Sequence, residues 1–261
     1  MTERTKLVAI IHVSSVTDVI NDIKRVVKVA REVGAKVLLD GAQSVPHMPV
    51  NVRELGVDLL ALSSHKILGP KGAGALYIRE GVKIERIIHG ASSTQQYWPG
   101  VENVPAIVGF YEAARLALEK MSDYVNYVRR LRDRLMEGIV GSVEDVLINR
   151  PLGDRRVADN VNVSFLYIEG EALTVELSLR GVYVSSGSAC TSRVLEPSHV
   201  LLAIGRKHEE ARGNILFKLS RYHTEEDIDY VLEHLPEAVG RLRALSPLKP
   251  QKVKENSLMF Y

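Results

Sequence analysis

Leu38-Leu39-Asp40-Gly41-Ala42-Gln43 and Leu62-Ser63-Ser64-His65-Lys66 decide how this chain is read, because in each an apolar run ends on polar and charged residues. Each run reads as a buried strand. Upstream, Leu7 to His12 is a β-branched apolar run, and Asp18 to Val33 sets Val19, Ile23, Val26, Val27 and Ala30 at helical spacing before Gly34 ends the helix. Val37 to Leu39 gives the next strand, Val50 to Leu55 a short turn or helix, Val57 to Leu62 a strand and Ala75 to Ile78 another. Short apolar strands separated by helices predict an α/β domain with a parallel or mixed sheet covered on both faces. Ligands of such sheets bind beyond the carboxyl ends of the strands. Asp40 and the Ser63 to Lys66 segment both fall there.

From Asn103 the pattern turns helical, with Pro105 near a start and a run through Lys120, followed by a second amphipathic stretch from Tyr124 to Ile139. Asn160 to Tyr167 alternates as a strand, Glu171 to Leu179 reads as a helix, and Ile215 to Leu219 as a strand. Thr224, followed by Glu225, Glu226 and Asp227, caps a last helix that runs to about Leu242. The expected organisation is a large domain with its connecting helix over 1–120, a smaller α+β domain over 121–248, and a tail over 249–261. No internal repeat or low-complexity segment is present.

With 261 residues, 46% of them hydrophobic, the chain can build one large or two modest domains around a proper core. Thirty-four Lys and Arg against 32 Asp and Glu leave a net charge of +2, which gives no electrostatic case for nucleic acid or an anionic membrane. No stretch approaches the roughly 18 to 20 apolar residues of a membrane span. The start, Met1 to Lys6 running into Leu7 to Ile11, is too short and wrongly flanked for a signal peptide. Cys190 is the only cysteine, so no internal disulfide forms. An unpaired thiol suits a reducing compartment, and the cytoplasm is expected. No metal site is expected.

Asp40 alone is ordinary, since Asp-Gly is a common turn. Lys66 alone reads as a surface lysine and His65 as a satisfied loop histidine. Together, an acid and a lysine that follow two successive strands on one sheet edge are what pyridoxal phosphate chemistry asks of a protein: a carboxylate for the ring nitrogen and an amine able to form a Schiff base. The glycines in Gly69-Pro70-Lys71-Gly72-Ala73-Gly74 do not match the phosphate-loop pattern Gly-x-x-x-x-Gly-Lys-Ser/Thr, and read as a tight turn into the next strand. Ser185 to Ser192 is a run of small polar residues around Cys190. Free cysteines are commonly buried and inert, but these neighbours suit an exposed loop in which a thiolate becomes a nucleophile. The reactive reading is preferred.

On these residues the chain resembles the cysteine desulfurases, pyridoxal phosphate enzymes of aminotransferase fold type I and class V, in the branch that serves iron-sulfur cluster assembly. The phrases that carry the resemblance are Asp40-Gly-Ala-Gln43-Ser44-Val45, the run from Ser63 to Gly74, Glu102-Asn-Val-Pro105, the run from Val184 to Ser192, and Leu195-Glu-Pro-Ser-His-Val-Leu201. The resemblance as a whole runs from Leu7 to Leu248. The resemblance implies an incomplete fold type I domain, mostly parallel sheet with helices on both faces, joined to a smaller α+β C-terminal domain. It implies pyridoxal 5'-phosphate as cofactor and L-cysteine as substrate. Lys66 would carry the Schiff base and move protons, Asp40 would pair with the pyridine nitrogen, and Gln43 would contact the ring oxygen. Ser63 and His65 would hold the phosphate, and Lys66, Cys190 and His65 form the candidate catalytic set. Cys190 would attack the substrate sulfur to become a persulfide, releasing L-alanine. A homodimer is implied, as is a sulfur acceptor, either an iron-sulfur scaffold or a sulfur carrier protein.

The same resemblance marks departures. Such enzymes carry a further region upstream of Leu7, which holds the phosphate-binding turn, the histidine that stacks on the ring and several strands. Ser14-Ser15 stand where an Asn pair is usual, Val101 where a threonine donates to the phosphate, and Leu216 where an arginine clamps the substrate carboxylate. Valine cannot donate that bond, and leucine cannot replace a bidentate arginine. Three expectations follow. The preferred one is a cysteine desulfurase, either working with a separately encoded N-terminal segment or recorded from an internal start. The others are a related pyridoxal phosphate enzyme acting on another amino acid or amine, and a non-catalytic or half-subunit paralogue that binds a sulfur-transfer partner.

Overall fold

The computed structural model describes residues 1–91, 97–150, 155–186 and 196–248. Backbone contacts divide it into two compact units, Met1–Val13 with Asn21–Met121, and Ser14–Ile20 with the chain from Ser122 onward. The second unit thus borrows seven residues from within the first stretch of chain, which no pattern in the sequence announces.

In the first unit, β1 (Leu7–Ile11), β2 (Lys36–Asp40) and β3 (Leu59–Ser63) lie side by side and parallel, and β4 (Gly74–Ile78) closes antiparallel on β3. Ile11 pairs with Asp40, so β1 and β2 end level, while Asp40 pairs with Ala61 and β3 runs two residues further, to Ser63. This is the expected mixed sheet. Between β1 and β2 runs α1 (Ile23–Glu32), whose N-terminus is capped by Asp22 accepting from Arg25 N at 3.1 Å. Its Ile23, Val27 and Ala30 recur at helical spacing and pack with Val37, Leu39, Val57 and Leu60. Each such burial contributes about 1.5–3 kcal/mol for a Val, Leu or Ile side chain. Gly34 then takes φ 72, the left-handed turn that ends the helix. The sequence pattern carries the helix back to Asp18. The structure starts it at Ile23, because Asp18 itself sits at φ 60 and Val19 pairs with Arg156 instead. A short helix, α2 (Val52–Leu55), capped by Asn51, joins β2 to β3.

The two helical stretches read after Asn103 are one helix, α3 (Val104–Ser142), of 39 residues. Met121-Ser122-Asp123 contains neither glycine nor proline, so nothing interrupts the backbone ladder. Residues up to Met121 belong to the first unit and those beyond to the second. Among the described residues no helix is long and apolar enough to cross a membrane.

The second unit holds an antiparallel sheet of β5 (Val146–Ile148), β6 (Asn160–Phe165) and β7 (Asn214–Lys218). Around it lie α4 (Gly170–Ser178), α5 (His199–Ala203), α6 (His208–Arg212) and α7 (Glu225–Leu245). One sheet face sends Val161, Val163, Phe165, Ile215 and Phe217 into a core with Leu131, Leu135 and Ile139 of α3, Leu173 and Leu177 of α4, and Ile228 and Leu235 of α7. Thr224 and Asp227 cap α7 reciprocally: Asp227 N donates to Thr224 Oγ1 at 3.3 Å and Thr224 N to Asp227 Oδ2 at 2.8 Å. β5, α5 and α6, three to five residues each, are too short to show a period and are absent from the sequence reading.

Candidate functional site

Asp40 closes β2 and Ser63 closes β3, so both stand at the carboxyl edge of adjacent parallel strands. The Asp40 side chain is exposed, with Oδ1 accepting from Ala42 N at 3.0 Å, and its carbonyl accepts from His12 N at 2.9 Å. Gly41 follows, its N–H on Ala61 O at 2.9 Å. A β-carbon there would lie 2.5 Å from Leu60 Cδ1, so any larger residue would require the buried Leu60 side chain to shift. Ser44 N and Val45 N both return to Gly41 O at 3.1 Å, a turn that leaves Gln43 half-buried next to the strand end.

β3 runs directly into a 3-10 turn, Ser64–Ile67, that carries His65 and Lys66, both exposed. Ser64 N donates to Ala73 O at 3.1 Å and Gly69 N to Ser64 O at 3.0 Å, while Leu68 closes the turn at φ 66. A β-carbon on Gly69 would meet the Ser64 hydroxyl and, at 3.1 Å, Ala113 Cβ of α3. The backbone beneath Lys66 is therefore fixed by the strand, by the returning segment and by the helix, as a preorganised site requires. Ser63 Oγ and His65 Nδ1 lie 2.8 Å apart.

His12, one residue past β1, joins this edge and was not singled out in the sequence. It is buried, its carbonyl accepts from Asn21 N at 2.9 Å, and its Nδ1 has no hydrogen-bond partner among the described residues. Burial lowers its pKa and keeps the imidazole neutral. The signal that could have found it is its place at the same strand edge as Asp40.

A carboxylate, an amine and a hydroxyl-imidazole pair on neighbouring strand ends fit pyridoxal phosphate: an acid for the ring nitrogen, an amine for the carbonyl carbon, and two donors for the phosphate. Among the described residues no group of three or more His, Cys, Asp or Glu gathers as a metal site.

The remaining candidates lie in the second unit. Cys190 falls within 187–195, outside the described residues. The chain approaching it pairs with β7, Leu216 N donating to Ser185 O at 2.7 Å and Ser185 N to Leu216 O at 3.2 Å. Arg212 Nη1 is 3.3 Å from Glu169 Oε1, so it is engaged at the surface and does not stand in for an arginine at Leu216. Lys218, two residues along β7, places Nζ 3.2 Å from Asp18 Oδ1 and 3.1 Å from Asp159 Oδ2. Val101 is fully exposed.

The chain is similar to known proteins. The chain is 43% identical over 250 residues to "Cysteine desulfurase IscS" of Methanosarcina thermophila, covering 96% of itself and 61% of that protein. It is 43% identical to the protein of the same description from Dictyoglomus turgidum, covering 97% of itself and 64% of the relative. Against that of Mannheimia succiniciproducens the identity is 45%, with 94% and 60% covered. The chain therefore spans less than two thirds of the length of these curated relatives. Among solved structures, a "NIFS-LIKE PROTEIN" superposes with a TM-score of 0.84 at 32% identity over 93% of this chain and 63% of its own. A NifS-like protein from Rickettsia africae gives 0.82 at 29% identity over 90% and 62%. The fold is thus the α/β arrangement of the fold type I pyridoxal phosphate enzymes, of which these are examples. The sequence model of aminotransferase class V matches residues 1–231, and the chain belongs to that family.

Proposed function

We propose that this chain carries the Asp40 and Lys66 part of a pyridoxal 5'-phosphate site and serves a cysteine desulfurase reaction, taking sulfur from L-cysteine for delivery to an iron-sulfur scaffold or a sulfur carrier protein. The observation that carries the reading is that Asp40 ends one parallel strand and the Ser63 to Lys66 segment leaves the adjoining one at the same carboxyl edge of the sheet, in a chain whose relatives bear that activity in their names. When bound, the cofactor supplies an electron sink for the substrate α-carbon. Asp40 keeps the ring nitrogen protonated, Ser63 and His65 donate to the phosphate, Gln43 contacts the ring oxygen, and Lys66 holds the cofactor and moves the α-proton. Cys190 Sγ takes the sulfur: the substrate Cβ–S bond breaks, an S–S bond forms, and L-cysteine plus thiol becomes L-alanine plus the Cys190 persulfide. The lone cysteine supports a cytoplasmic setting.

β1 is an edge strand with Leu7 and Ile11 exposed, and α3 exposes Val104, Ile107, Val108 and Tyr111 on neighbouring turns. Both features support association with a second copy and with a polypeptide equivalent to the rest of the relatives' length. In domain terms, 1–120 apart from Ser14–Ile20 is read as the remainder of the large cofactor-binding domain, and 121–248 with Ser14–Ile20 as the small domain, whose sequence includes Cys190. A second reading, a related enzyme acting on another amino acid or amine, is favoured by one observation: Leu216 is apolar and Arg212 is held by Glu169.

The test is the visible spectrum of the chain with pyridoxal phosphate, before and after borohydride. A reducible band that Lys66→Ala removes and Cys190→Ser retains supports the assignment, together with sulfide or persulfide formed from cysteine only when Cys190 is present. Absence of the band in the wild-type chain overturns the catalytic reading in favour of a non-catalytic paralogue. Equal persulfide formation in Cys190→Ser overturns the role of Cys190.

A further inference from the structure

The sheet of the second unit has two unlike faces. Val161, Val163 and Phe165 enter the apolar core, whereas Asn160, Asn162 and Ser164 alternate with them along β6 and are equally buried. On this second face Asn149 Nδ2 donates to Asn162 Oδ1 and to Ser164 Oγ, both at 2.9 Å, and Asn214 Nδ2 also donates to Asn162 Oδ1. Arg206 Nε donates to Asn149 Oδ1 at 2.7 Å and Nη2 to Ile148 O at 3.0 Å. With its oxygen taken by two amides, Asn162 can turn only its Nδ2 outward, and that group lies 2.7 Å from the carbonyl of Val16. Asn160 Nδ2 donates to the same carbonyl at 3.0 Å. Both lone pairs of one backbone oxygen are thereby filled.

Val16 lies within the segment Ser14–Ile20, which leaves the end of β1. Asn21 closes the segment at its base, donating from N to His12 O and from Nδ2 to Ile11 O, each at 2.9 Å. Inside, Ser14 N bonds Val19 O and Asp18 N bonds Ser14 O, both at 3.0 Å, and Ser14 Oγ accepts from Thr17 N at 3.2 Å. Ser15 is the one fully exposed residue of the segment. A buried polar face is costly to build compared with an apolar one, and Asn160 Oδ1 has no partner among the described residues. An arrangement that accepts this cost and converges on a single carbonyl is better explained by where it holds the loop than by the stability it adds.

We propose that Asn162 is a positioning residue, which through the Val16 carbonyl holds the loop Ser14–Ile20, with its exposed Ser15, in one conformation. Asn160 shares the grip, and Asn149, Asn214 and Arg206 act one step back by fixing the rotamer of Asn162.

Hydrogen exchange on the full chain, without cofactor, tests the proposal. Asn162→Asp keeps the acceptor oxygen and removes only the donor to Val16, and Asn162→Leu removes both. At pH 8 both variants should exchange the Ser14 and Asp18 amides about tenfold faster than wild type, the change expected for one buried hydrogen bond. Peptides over 36–63 serve as an unchanged reference. After correction for intrinsic rates, acidification should restore protection in Asn162→Asp, whose protonated carboxyl can donate again, and not in Asn162→Leu. Wild-type protection of 14–20 in both variants would overturn the proposal. So would an equal loss over 14–20, 160–165 and 214–218, which would mean that Asn162 merely supports the sheet. Asn160→Ala, a milder cut at the same carbonyl, gives the same readout if the Asn162 variants fail to fold. The spectrum described above fails independently: a chain that binds no cofactor yet shows the exchange pattern refutes the proposed function and leaves the role of Asn162 standing.

Discussion

Lys218 Nζ lies 3.2 Å from Asp18 Oδ1, tying the last residue of β7 to the loop that leaves β1 by a charged contact in which the aspartate is 1% exposed. Asp159 shares the same ammonium at 3.1 Å, and Asn160 Nδ2 donates to Asp18 Oδ1 at 2.9 Å. Arg156 on the preceding loop also faces Asp18, and Tyr124 of α3 faces Asp159. Two carboxylates thus meet one lysine in a largely dry setting, and their behaviour sets the first predictions.

Burial first, and the neighbouring Asp159 second, push the Asp18 carboxyl up to about 6 from an ordinary 3.8. Because the folded value is the higher one, this group contributes stability that is fully present below pH 4 and is lost as pH rises through about 6. At ~1.4 kcal/mol per pH unit, the loss amounts to about 3 kcal/mol. Asp18→Asn, which keeps the residue type tolerated at φ 60, should remove this slope. Urea unfolding at pH 4.5 and pH 8 checks it: the variant should equal or exceed wild type at pH 8 and lose its advantage in acid.

Lys218→Met leaves Asp18 and Asp159 side by side without the ammonium. The expected destabilisation at neutral pH is about 2–3 kcal/mol, below that of a fully buried pair because the Lys218 side chain is 34% exposed. Acidification should recover part of it as the carboxyls take up protons. Calorimetric melting of the variant across pH 5–8 reads this out, and a melting point unchanged at pH 8 would refute it.

His12 has the opposite sign. Its pKa is depressed by burial, so the unfolded chain binds the proton first, and the stability it contributes is present above the ordinary histidine value and lost as pH falls. Exchange of β2 amides should therefore quicken between pH 7.5 and 5 in wild type and less in His12→Gln, measured relative to intrinsic rates.

Gly41→Ala should cost ~1–3 kcal/mol, since the new methyl would sit 2.5 Å from Leu60 Cδ1 and the neighbouring strand must yield. Leu60→Val removes that atom. The double variant should be less destabilised than the sum of the singles in denaturant titration, and simple additivity would refute the packing explanation.

Much of the first unit could be read from the chain because its information is local. β1, β2 and β3 announce themselves as apolar runs closed by polar residues, and Gly34 marks the end of α1. The start of α1 could not be read, because Val19 continues the apolar period while Asp18 is held by Lys218, two hundred residues away. The break read near Lys120 came from a run of polar residues that a continuous helix accommodates on its exposed side. His12, Asn160 and Asn162 look like ordinary strand residues until their partners are known.

By itself the sequence determined the alternation of strands and helices and put Asp40, Ser63, His65 and Lys66 after strands, since hydrophobic period and turn residues act over a few positions. It also displayed the phrases shared with the class-V aminotransferases. Only the tertiary structure decided that β3 runs two residues past the end of β2, that the Lys66 turn is braced by Ala113, and that Ser14–Ile20 belongs to the second unit through Asn160, Asn162 and Lys218. The physical reason is range. Strand register, close packing at a glycine and buried amide networks depend on groups far apart in the chain, and their energies exist only once the chain has folded.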